Sequence, residues 1–137
     1  MHRKFSLVAV LATFLLAGCG SLESNELKDS VGTIHSAVQE GAILAGDAAK
    51  GRTTTNFVRA YAGQLSSALQ HETEKLSDAT PAQGVAPKVQ RAIKAASDGS
   101  SALDDLRASP NDRAKAAVAR KQLLAAAKKS DDLDQEL

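Results

Sequence analysis

The chain has 137 residues, with 17 Lys and Arg against 16 Asp and Glu, one cysteine, 3% aromatic residues and no tryptophan. So even a charge balance argues against a nucleic-acid binder working through a basic surface, and one cysteine allows no internal disulfide. The length suits one small domain, and the scarcity of rings equips it poorly for ligands held by stacking.

The chain opens on the basic run Met1-His2-Arg3-Lys4. An uncharged, almost wholly apolar stretch follows from Phe5 to Leu16, then the small residues Ala17 and Gly18, then Cys19. A basic start, a short apolar run and a small-residue end describe a secretory signal peptide. The run is shorter than the roughly 20 apolar residues that a membrane span needs.

Leu16-Ala17-Gly18-Cys19 resembles the lipobox of bacterial lipoproteins. In that family the matching thiol receives a diacylglycerol, the peptide is cut just before it, and the new amine can be acylated further, for example with palmitate. The resemblance implies a signal peptide over residues 1–18, a lipidated tether over 19–25 and a helical domain over 26–137. Cys19 then anchors the protein to the membrane, and two or three acyl chains bind durably where one does not. It also implies the bacterial cell envelope. Gly20 rather than Asp follows the cysteine, which in a Gram-negative host favours the outer membrane. In a Gram-positive host the anchor lies in the outer face of the plasma membrane. Loss of Arg3 and Lys4 with the signal turns the mature net charge to about −1.

Beyond the tether, apolar residues recur at steps of three and four, the spacing of one helical face. Leu27, Val31, Ile34, Val38, Gly41, Ala45 and Ala48 predict a helix over about 24–50, stopped by Gly51. Thr53, Thr54 and Thr55 offer N-cap hydroxyls for a second helix over about 54–78, striped by Val58, Tyr61, Leu65, Leu69 and Leu76. Pro81, Gly84 and Pro87 mark the clearest break, and Thr80, Pro81 and Gln83 suit a one-turn cap. A third helix over about 85–107 carries Val89, Ile93, Ala96, Leu103 and Leu106, with a kink or a close helix contact expected near Gly99. Ser109 as cap and Pro110 at the first helical position predict a fourth helix over about 110–134. The acidic segment from Ser130 to Leu137 is expected to fray. Short connections between four such helices predict an all-α, up-down-up-down four-helix bundle. The many alanines suggest a thin, under-filled core.

The candidate chemistry is sparse. His71-Glu72-Thr73-Glu74-Lys75 lacks the second histidine of a zinc protease motif. No Glu stands three residues before His35 or His71, as a di-iron bundle would require. Asp98, Asp104 and Asp105 lack the loop spacing of a calcium site. No metal, cofactor or catalytic centre is therefore expected. Glu72 lies near the middle of the second apolar stripe, where a lone carboxylate is costly. It either pairs with His35 across the first two helices or reaches the bundle edge. Thr54, Asn56, Phe57, Arg59 and Tyr61 gather hydroxyls, rings and a guanidinium near the first turn, and form the candidate interaction surface. The alternative there is a capped helix with two core rings.

The expected function is a non-enzymatic structural or protein-interaction module, tethered through Cys19, whose partner is an unidentified envelope protein. The alternative is a helical carrier that opens to hold a lipid or another small apolar molecule.

Overall fold

The computed structural model describes residues 20–137. The signal segment and Cys19 lie outside the described residues. Four helices follow one another: α1 (Ser24–Ala49), α2 (Thr55–Asp78), α3 (Ala86–Ala108) and α4 (Arg113–Gln135). The described residues contain no strand, only one isolated backbone bridge.

Local chemistry sets the helix ends. Glu23 and Glu26 form a reciprocal capping box at the start of α1, which satisfies backbone N–H groups that have no partner within the helix. Gly51 ends the α1 turn with φ +68°, a conformation that costs glycine little and other residues more. The Thr54 hydroxyl caps α2 by accepting from the Phe57 amide at 3.3 Å. At the fourth helix the start differs from the sequence expectation. Ser109 closes α3, its N–H bonded to the Asp105 carbonyl, and Pro110 lies in the turn. Asp112 is the cap instead, accepting from the Lys115 amide at 3.0 Å. Aspartate caps as well as serine does, so the nearer of two competent caps begins the helix.

Consecutive helices run antiparallel. Tyr61 and Lys75 of α2 reach Glu40 and Ser30 of α1. Ser66 and Gln70 of α2 meet Ser100 of α3. Lys129 of α4 meets Asp98 of α3, while Lys88 and Arg91 near the start of α3 meet Glu136. The up-down-up-down bundle is thus the observed architecture. It has two ends. The turn end carries the α1–α2 and α3–α4 connections. The tether end carries the start of α1, the α2–α3 loop and the end of α4.

In cross-section the bundle is a rhombus. The α1 and α3 helices touch across the short diagonal, whereas α2 and α4 do not meet. Glycine makes the short diagonal. A Cβ at Gly99 would stand 2.6 Å from Val38 Cγ1, and one at Gly41 would stand 2.9 Å from Leu103 Cδ2. The close contact expected near Gly99 is therefore present, and α3 passes through it as one continuous helix. Leu27, Val31, Ile34, Leu69, Leu103, Leu106 and Leu123 are fully buried around these points. Many of the buried residues are alanines, among them Ala42, Ala45, Ala95, Ala96, Ala119 and Ala126. They let the backbones approach until leucine side chains fill the remaining space, as close-packed interiors require.

Two polar clusters sit within this apolar frame. Between α2 and α3, the buried Ser66 hydroxyl donates to Asp104 Oδ1 at 2.7 Å and lies 3.1 Å from Ser100 Oγ. Between α1 and α4, His35 Nδ1 lies 3.2 Å from the Ala127 carbonyl oxygen and 3.1 Å from Ser130 Oγ. Buried polar groups need such partners, and each cluster is satisfied at only one sliding position of its helix pair.

Candidate functional site

The segment entering α1 is pinned at Leu22. Leu22 is buried, and its N–H donates to the Thr80 carbonyl at 2.7 Å. Its carbonyl accepts from the Ala82 N–H at 3.0 Å, which makes a parallel bridge between Leu22 and Pro81. The loop over 79–85 thus holds the incoming chain instead of forming the expected one-turn cap. Only Gly20 and Ser21 separate Leu22 from position 19. α1 begins at Ser24, two residues after Leu22.

His35 and Glu72 are not paired. A carbonyl oxygen can only accept, so His35 Nδ1 carries the proton that it shares between Ala127 and Ser130. The ring faces α4 and not α2. Glu72 is buried, and its Oε2 makes no hydrogen bond. Its compensation is Lys75, whose Nζ lies 3.6 Å away and donates to Ser30 Oγ at 3.0 Å. Helical spacing put Glu72 in the apolar stripe correctly. The choice of partner turned on which neighbour His35 faces, and one stripe does not specify that.

The candidate interaction surface divides over two sides of α2. Thr54 caps the helix. Phe57 and Tyr61 lie on the α1 side, with ring centroids 5.5 Å apart, and the Tyr61 hydroxyl donates to Glu40 Oε2. That bond holds the phenol above the usual tyrosine range, with help from desolvation and the Glu40 charge. Tyr61 is half-buried, but Phe57 is 54% exposed and does not serve as a core ring.

Asn56 and Arg59 lie on the other side of α2, along an open trough of about 660 Å³. Gly63, Gln64 and Ser67 continue this wall, and Arg107 of α3 closes it. Arg107 was not anticipated from the sequence. It stands 48 residues after Arg59, and only the antiparallel register of α2 and α3 brings it to the same surface. The trough can offer guanidinium charge together with amide and hydroxyl hydrogen bonds.

No group of three His, Cys, Asp or Glu among the described residues is arranged to hold a metal ion. No helix among them is long and apolar enough to cross a membrane. Comparisons with protein-family models, with characterised proteins and with solved structures return no match.

Proposed function

We propose that this chain is a lipid-anchored protein of the bacterial cell envelope that acts by contact, as a non-enzymatic interaction module. The observation that carries this reading is the position of Leu22. A lipobox-like cysteine stands three residues before a buried residue paired through its backbone to the bundle. An acyl anchor at Cys19 would thus be joined to a defined end of the body through a very short link. Such tethering confines a module to a thin layer and raises its effective concentration for a neighbour. The carrier reading has less support, because Gly41 and Gly99 already lie against the leucines and valine that fill the core.

The test is intact-mass measurement of the protein purified from its own membrane, beside Cys19→Ala. The expected outcome is a mature chain that begins at Cys19 with two or three acyl chains, and loss of the variant from the membrane fraction. An unmodified thiol on the mature chain would overturn the anchor. A small apolar molecule retained by the bundle in native mass spectrometry would replace the module by the carrier.

A further inference from the structure

Arginine is unevenly placed on this bundle. At the tether end Arg91 is the only arginine of the described residues, and Glu136 holds it at 2.5 Å. Arg52, Arg59, Arg107, Arg113 and Arg120 all lie toward the turn end. Among the described residues, none of these five makes an ion pair. Two nearby acids are already engaged, Asp104 with Ser66 and Asp112 with the Lys115 amide.

Three of the five guanidinium groups lie against glycines. A Cβ at Gly51 would run into Arg113 Nη2, one at Gly46 would stand 3.2 Å from Arg120 Nε, and one at Gly63 would stand 3.6 Å from Arg107 Nε. Each glycine leaves room for an arginine to lie along a neighbouring segment. A side chain held in this way loses less freedom when a ligand arrives. Guanidinium groups take carboxylates through paired N–H bonds, and Asn56, Gln64 and Ser67 between them can bond to a peptide main chain.

We propose that the turn end is a docking surface for a carboxylate-rich protein segment, with Arg59 and Arg107 as its charged anchors. The proposal rests on the interaction-module reading and adds the chemistry of the partner. Position favours a protein over the bilayer. Leu22 is bound to the α2–α3 loop at the tether end, and Arg59 and Arg107 stand most of a helix length away, roughly 30 Å at 1.5 Å per residue.

The test measures fluorescence anisotropy of a dye-labelled peptide of alternating Glu and Ser against the full mature chain, with Cys19 acylated and as Cys19→Ala. Saturable binding is expected, weakened by added salt as surface charge pairs are. The double variant Arg59→Gln, Arg107→Gln is expected to bind about tenfold more weakly. Arg91→Gln is expected to bind as the parent does, and circular dichroism melting checks that each variant is folded. Absence of saturable binding, or equal binding by the folded double variant, overturns the proposal. So does stronger binding to a sulfated polysaccharide or to phosphatidylglycerol vesicles than to the peptide. Equal binding by acylated protein and Cys19→Ala is expected, so failure of the anchor and failure of the surface give different results.

Discussion

Gly41 and Gly99 set how closely α1 and α3 can approach, and Gly32 provides the contrast. At Gly99 a methyl group would meet Val38 and Leu69 at 2.6 and 3.0 Å, whereas at Gly32 nothing lies within 4 Å. Alanine gains about 1 kcal/mol over glycine in a helix interior, while overpacking a tight core costs about 1–3 kcal/mol. Gly99→Ala is therefore expected to lower stability by about 1 kcal/mol net, and Gly32→Ala to raise it by about 0.5–1 kcal/mol. Urea denaturation of the two variants beside the parent checks both signs. The sequence showed glycines in helical stretches and pointed to a close contact at Gly99. It did not show which side chains Gly41 and Gly99 would meet, because that depends on helices distant in the chain. The same limit separates the correct placement of Glu72 in an apolar stripe from the missed Lys75 and Ser30 contacts.

At the scale of the element, the end of α4 is more ordered than its acidic composition predicts. The helix continues to Gln135, with Ser130 and Leu133 buried. Arg91 grips Glu136 through two guanidinium nitrogens, and Lys88 donates to the Glu136 carbonyl at 2.8 Å. Bonding to Arg91 holds the Glu136 carboxyl below the usual carboxylate range, against a smaller opposing effect of burial. Further along the α3–α4 interface, partial burial opposes ionisation of Asp98, but Lys94 and Lys129 together outweigh it and hold that carboxyl low as well. A carboxylate lowered in the folded state stabilises the fold above its unfolded pKa, and the contribution is lost as pH falls through the folded value. Thermal stability is thus expected to be level near neutrality and to fall as pH drops below about 4. Asp98→Asn is expected to melt a few degrees lower near neutrality and to show a shallower acid loss. Melting curves between pH 7 and pH 2.5 check this. Four helices and most of their boundaries were legible from periodicity, Gly51 and the threonine cap, since those signals act within a turn or two. The order of the last turn was not, because its partners lie on α3.

Across the whole molecule, the bundle joins a pinned chain entry at one end to a set of unpaired arginines at the other. The bridge at Leu22 is expected to slow exchange of the Leu22 and Ala82 amide hydrogens, which hydrogen–deuterium exchange reads directly. Leu22→Ala should abolish that protection and lower stability by about 2 kcal/mol, while the amides of α3 exchange in the same order as before. The up-down-up-down architecture follows from short loops and was legible in advance. The rhombic cross-section and the arginine surface were not, since they depend on which helices sit diagonally.

The parallel bridge between residue 22 and the α2–α3 loop also has a mechanical consequence. A pull applied at the start of the chain meets two backbone hydrogen bonds and a buried leucine before it reaches α1. Load enters through α1 and the hairpin of α2 and α3 together, so traction at the chain start is shared between two attachment points and does not peel a single helix from the rest.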